Sequence, residues 1–220
     1  MVDETQEILP TSTRVETSLD VAADIVGLVP WLGGPVSCVL SGISVGRKMS
    51  RVREVLGGIA SDLKNFESEA SKTYVKTDEF QELLEKTLRM VAEERSEEKR
   101  GIYRAFLTGA ITSPGEPYDQ RLVFLRNLEQ LQPDHIRVLR ALVQEPERDA
   151  PIVSSPIRTL QRRLLGIPVD RIEELVNHLN DLRITNLTSL RVMMTGHGAA
   201  SLKGSLTVAG LQFLRYIRGV

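Results

Sequence analysis

A run of 22 residues without a single charged side chain, residues 25–46, constrains the fold of this chain more than any other feature. By length alone it could form one transmembrane helix. However, it contains five glycines and two prolines, and Pro30 and Pro35 bracket the sequence WLGG. We therefore predict a tight corner between two short apolar helices, the first over residues 18–29 and the second beginning near Pro35.

This apolar hairpin, residues 18–49, has two interpretations. It can form the core of a helical body or an oligomer contact, which the small side chains within it favour because they let helices pack closely. Alternatively, a basic cluster (Arg47, Lys48, Arg51 and Arg53) follows it, and a hairpin released on a trigger could then associate with an anionic membrane surface. Either role would be carried by Val29, Trp31, Leu32, Val36, Val39, Leu40, Arg47 and Lys48.

The rest of the N-terminal part has simpler patterns. Residues 1–17 are polar and aperiodic, which predicts a flexible tail. Over residues 50–130, apolar side chains recur every three or four positions, which predicts amphipathic helices. Thr77 is a predicted helix N-cap, and Ser96 can restart a helix after a charged stretch. With only 5% aromatic residues, the core must be mostly aliphatic, so we predict a mainly α fold with a helical body over residues 18–130.

Residues 131–220 have a more specific order of elements. Pro133 opens a helix, a loop rich in proline and serine spans residues 145–155, and Ser155-Pro156 starts a second helix that Gly166 stops. A third helix follows Asp170. Two helices joined by a short turn containing glycine are typical of a helix-turn-helix.

The end of the chain predicts a β wing. Residues 185–194 are rich in threonine, leucine and valine, which predicts a first strand. The sequence TGHGAA over residues 195–200 then predicts the tip of the wing, and residues 205–208 predict the returning strand. A last helix is predicted over residues 209–218.

Two resemblances follow from these sequences. "LGIPVDRIEELVNHLNDLRI" resembles the turn and third helix of bacterial winged-helix proteins, and "SLTVAGLQFLRYI" resembles their second wing strand, which passes through Leu-Thr-x-x-Gly into the final helix. This resemblance covers about 90 residues and implies a winged-helix domain with a two-stranded wing over residues 131–220. In the body, "SEEKRGIYRAFLTGAIT" and "RLVFLRNLEQLQPDHIRVLRAL" resemble bacterial abortive-infection alpha-type proteins, small cytosolic proteins associated with phage defence.

No pattern indicates catalysis. The three histidines lie outside any His-Glu-x-x-His arrangement, and the glycine-rich stretches lack the spacing of a phosphate-binding loop. We therefore expect no enzyme activity, no metal site, no cofactor and no small-molecule substrate. The single Cys38 excludes an internal disulfide, and the acidic N-terminus does not resemble a signal peptide, so we expect a cytoplasmic protein.

The charges of the C-terminal part leave two roles open. Residues 151–220 carry nine Arg or Lys against four Asp or Glu. DNA phosphates could be contacted by Arg158, Arg162, Arg163, Arg191 and Lys203. Asn177 and His178, both predicted on the exposed side of the third helix, could contact bases. That helix also exposes four acidic residues, which phosphates would repel. The sequence thus favours a winged helix used for protein docking or self-association, with a DNA-binding regulator as the alternative.

Overall fold

The computed structural model describes residues 29–40, 46–146 and 152–217. Within these ranges the chain is mainly helical, with one small antiparallel sheet near the C-terminus. The N-terminal helices are α1 (Pro30–Leu40), α2 (Arg47–Leu63), α3 (Glu69–Tyr74), α4 (Asp78–Glu93), α5 (Glu97–Thr112) and α6 (Tyr118–Gln130). The C-terminal elements are α7 (Pro133–Leu142), β1 (Val153–Ser154), α8 (Pro156–Arg163), α9 (Val169–Asp181), β2 (Met194–Thr195), α10 (Gly196–Ala200), a 3₁₀ turn (Lys203–Ser205) and α11 (Val208–Tyr216).

The predicted corner of the apolar hairpin is wrong, because α1 begins at Pro30 and continues through Pro35. Proline suits the first position of a helix, since its φ is fixed and no amide hydrogen is needed there. Pro35 cannot donate to the helix ladder. Two residues later, the Ser37 hydroxyl donates to the Gly33 carbonyl at 2.8 Å. The predicted tail (1–17), almost all of the first hairpin helix (18–28) and the side chain of Cys38 lie outside the described residues.

The amphipathic pattern of the body is confirmed. Helix α2 packs on α4 and α5 and buries the stripe of Val52, Val55, Leu56, Ile59 and Leu63. Both predicted caps are also present. The hydroxyl of Thr77 accepts from the amide of Phe80, and that of Ser96 accepts from the amide of Lys99, so α4 and α5 begin where these side chains replace the missing helix bonds.

The strand pairing predicted between residues 185–194 and 205–208 is reduced to one bridge. The first strand does not span residues 185–194, the TGHGAA sequence forms helix α10 instead of a turn, and the loop over residues 145–155 contains β1. Antiparallel pairing joins Val153 to Thr195 and Ser154 to Met194. A separate antiparallel bridge joins Thr185 to Leu206, so the chain does return beside the end of α9. Between the bridged residues Thr185 and Leu206 lie β2, α10 and the 3₁₀ turn.

The Leu-Thr-x-x-Gly motif has a structural reason. The hydroxyl of Thr207 donates to the Arg183 carbonyl at 2.7 Å and accepts from the Gly210 amide at 2.9 Å. It therefore links the segment that follows α9 to the start of α11. A Cβ on Gly210 would lie 2.0 Å from the Ile184 carbonyl oxygen. Only glycine permits this approach of α11 to the end of α9.

Helix α11 packs on α5 of the body. Its Tyr216 ring lies 5.3 Å from that of Phe124, and Phe213 also contacts Phe124, with 5.6 Å between centroids. One hydrophobic core therefore runs across residue 131. The division into a body and a C-terminal domain at that residue stays a prediction.

Candidate functional site

Four apolar side chains in and next to the small sheet are exposed, two at each end of the strand pairing. They are Ile152, Val153, Val192 and Met193, whose exposed fractions are 92%, 53%, 54% and 53%; we call these four residues the sheet patch. Side chains alternate between the faces of a strand, and Ser154 fills the inner side, so Val153 turns outward. Clustered exposed apolar side chains of this size are typical of interaction surfaces.

The two strands that support this patch have open edges. Hydrogen bonds from Gly196 N to Ile152 O and from Ile157 N to Leu190 O, both 2.9 Å, extend the pairing at each end. No third strand joins them within the described ranges. Unpaired backbone donors and acceptors at such an edge can pair with another chain.

Two of the five predicted phosphate contacts, Arg163 and Arg191, are each held by two or more hydrogen bonds within the protein. Arg163 donates to the carbonyls of Ala141 at 2.8 Å, Ala200 at 3.0 Å and Glu145 at 3.3 Å. Its guanidinium therefore ties α8 to the end of α7 and to α10. Sequence reasoning missed this role, since the three carbonyls come from distant segments.

Arg191, which lies in a turn and not in the predicted strand, is paired with Glu173 on α9. Its Nε and Nη2 donate to the two carboxylate oxygens at 2.6 and 2.7 Å. This hydrogen bonding lowers the pKa of Glu173 and raises that of Arg191. Binding of Arg191 to a phosphate would have to replace this bidentate pair.

The other predicted DNA-contacting residues are exposed. Arg158 and Arg162 lie on the outer side of α8, Lys203 lies in the 3₁₀ turn, and Asn177 lies on the outer side of α9. The outer side of α9 also carries the exposed acids Asp170, Glu174 and Asp181. Cations on α8 therefore lie next to an acidic helix.

His178 is half-buried, so its predicted place on the exposed side of α9 is wrong. Its Nδ1 lies 2.9 Å from the Nε2 of His135, a buried residue of α7. The two rings meet edge to face, with centroids 4.8 Å apart. Burial and the neighbouring His178 lower the pKa of His135 to about 4.

No family model, curated protein or solved structure matches this chain. Its function must therefore be inferred from the surfaces and contacts of its own residues.

The apolar side chains that the structure describes in the hairpin belong to the core. Val29, Leu32, Val36, Val39 and Leu40 are each at most 8% exposed, and Trp31 packs against them. Arg47 is exposed, whereas Lys48 is paired with Glu93. Within the described ranges, no helix has the length and apolar character needed to cross a membrane. Membrane association through this segment would require its side chains to leave the core.

An open groove of about 520 Å³ lies between α2 and α5. The two arginines that line it are held in place: Arg100 pairs with Glu54 at 2.7 Å, and Arg104 donates to Asp62 at 2.8 Å. In the part of the chain that the structure describes, no group of three potential metal ligands occurs. Both arginines of the groove are thus engaged in ion pairs.

Proposed function

We propose that this chain is a non-enzymatic interaction protein whose C-terminal winged-helix domain docks protein through the sheet patch. The single observation that carries the proposal is the exposure of four apolar side chains in and next to a two-stranded sheet with open edges. Desolvating such side chains drives association. The resemblance of the body to abortive-infection proteins supports a role in phage defence.

The order of elements supports the winged-helix assignment. A helix, a short strand, two helices joined by a turn with Gly166 at φ +86°, and a bridge between Thr185 and Leu206 follow one another along the chain. Helices α8 and α9 form the helix-turn-helix pair of this assignment. The wing is then a compact strand, helix and 3₁₀ turn.

A second copy of this chain is the partner to test first. An open strand edge can pair with the same edge of a copy around a two-fold axis, which makes the interface self-complementary. The four residues alone are fewer than a stable dimer interface contains, so we expect weak, concentration-dependent association. The partner of a stronger complex would be a different protein.

The experiment is sedimentation velocity over a wide concentration range. We expect the wild type to self-associate and the double variant Val153→Asp, Met193→Asp to remain monomeric, because buried unpaired carboxylates oppose the contact. Val123→Asp is the matched control, since Val123 is 44% exposed on α6 of the body. A wild type that stays monomeric at every concentration would exclude self-association through the patch.

The alternative function is a DNA-binding regulator, favoured by the exposed side chains of Arg158, Arg162 and Lys203. If it holds, duplex DNA should bind with an affinity that falls steeply as salt increases. The triple change of these residues to Glu should abolish binding, whereas Arg126→Glu on the body should not. Equal DNA binding by the triple variant and by Arg126→Glu would exclude DNA binding through Arg158, Arg162 and Lys203.

A further inference from the structure

The His135–His178 contact has only one arrangement of protons. The backbone amide of Gln132 donates to Nδ1 of His135 at 2.9 Å, so this nitrogen carries no hydrogen. A neutral His135 must then carry its hydrogen on Nε2, the atom that lies 2.9 Å from Nδ1 of His178. Nε2 of His135 is therefore the donor, and Nδ1 of His178 is the acceptor.

Protonation of His135 is incompatible with this arrangement. A second hydrogen on its ring would lie on Nδ1 and would face the Gln132 amide hydrogen. Two donors would then meet at hydrogen-bond distance, and a cation would be created on a residue that is 4% exposed. A ring that moves to avoid both also leaves its contact with His178.

The charged neighbours do not remove this conflict. Of the described groups, Asp134 on α7 favours the cationic form of His135, and Arg171 on α9 opposes it. Arg171 is fixed by its donation to the side-chain oxygen of Gln132 at 2.6 Å and by its pair with Glu174 at 2.8 Å. From α8, which packs on both helices, Arg163 is directed to the Ala141 carbonyl near the opposite end of α7.

We propose that His135 and His178 form a proton-sensitive latch that holds α9 against the start of α7 while His135 is neutral and releases it when His135 gains a proton. The latch joins elements 43 residues apart. Helix α9 also holds Arg191, the residue that precedes Val192 of the sheet patch. Release would therefore loosen the support of that surface. The latch itself does not depend on what the surface binds.

The direction of the pH effect follows from the two states of His135. Its pKa is about 4 in the folded protein and near 6.5 in an unfolded chain. The unfolded chain therefore binds the proton first as the pH falls. The contribution of His135 to the free energy of unfolding is complete above about pH 6.5. It decreases as the pH falls from about 6.5 to about 4 and does not change further below that.

The test compares the unfolding equilibrium constant at pH 7 and pH 5 for the wild type and for His135→Gln, His178→Asn. The side-chain oxygen of glutamine at position 135 can still accept a hydrogen bond from the Gln132 amide, as in a capping box. The side-chain oxygen of asparagine at position 178 replaces Nδ1 of His178 as the acceptor. Neither side chain titrates. We expect the constant to increase roughly tenfold more in the wild type than in the double variant. Carboxylates that titrate in the same range are common to both proteins and cancel. His197→Asn, a change at the exposed third histidine, should behave as the wild type.

A second measurement does not depend on the variants. Nitrogen-15 spectra of the histidine rings at pH 7.5 should show Nδ1 of His135 without hydrogen and Nε2 with it. A reversed tautomer, a His135 that titrates near pH 6.5 in the folded protein, or equal pH dependence of the wild type and the double variant would each overturn the latch.

Discussion

The guanidinium of Arg121 contacts the hydroxyl of Tyr216, with 3.5 Å between Nε and the hydroxyl oxygen, although 95 residues separate them. Arg121 is 1% exposed and also donates to the Ser113 carbonyl at 3.0 Å. Its Cζ lies 4.0 Å from the centre of the Tyr74 ring, where a cation is attracted to the aromatic face. The last helix is thus joined to the body by one buried arginine and its aromatic neighbours.

The first prediction separates packing from hydrogen bonding at Tyr216. Tyr216→Ala should cost about 3–5 kcal/mol, because it removes a buried ring from the contact with Phe106 and Phe124. Tyr216→Phe should cost under about 1 kcal/mol, since the polar contact that it removes is long. Urea unfolding measures both, with the exposed Arg215→Ala as control. Equal losses in the two variants would mean that the Arg121 contact dominates.

The second prediction concerns two helical glycines with opposite surroundings. A Cβ on Gly109 would lie 2.6 Å from the Tyr216 carbonyl oxygen, whereas one on Gly57 would meet nothing within 4 Å. Gly109→Ala should therefore destabilise the protein by about 1–3 kcal/mol, because backbone atoms of α11 must move. Gly57→Ala should stabilise it by about 0.5–1 kcal/mol through helix propensity. Thermal unfolding measures the sign of the stability change in each variant. A Gly109→Ala variant as stable as the wild type would contradict the close packing of α5 and α11.

The third prediction concerns the Leu-Thr-x-x-Gly motif. Gly210→Ala should be the more damaging change, since its Cβ would overlap the Ile184 carbonyl oxygen. Thr207→Ala should cost about 1 kcal/mol through the loss of the α11 cap. Thr188→Ala, at an exposed position, is the matched control. Should Gly210→Ala unfold at the same urea concentration as this control, α11 cannot approach the end of α9 as described.

The fourth prediction is the response to alkali. Burial raises the pKa of Tyr103 to about 12 and also raises the pKa of Tyr74, Tyr118 and Tyr216. The pKa of tyrosine in an unfolded chain is about 10. The contribution of these neutral phenols to stability is therefore complete below about pH 10 and is lost as the pH rises toward 12. Absorbance at 295 nm should therefore increase together with unfolding. A tyrosine that ionises near pH 10 in the folded protein would disagree with this burial.

Local sequence signals determined the helices. The stripe of α2, the caps at Thr77 and Ser96 and the proline at the start of α8 each depend on side chains within one or two turns. The same signals predict a corner at Pro35, which is wrong because the helix has already begun at Pro30 and continues through Pro35. They also give the wrong structure to residues 195–200, where the Thr195 hydroxyl caps a short helix by accepting from the Gly198 amide.

Only the tertiary structure decided what the polar side chains of the C-terminal part contact. Arg163 was available to phosphates on sequence grounds, yet three carbonyls from different segments surround it. His178 had the spacing of an exposed residue, yet His135 lies against it. The periodicity of a chain specifies which side of a helix is buried, since that depends on residues three and four apart. Which distant group meets a given side chain depends on how the helices pack, and no local pattern encodes that distance.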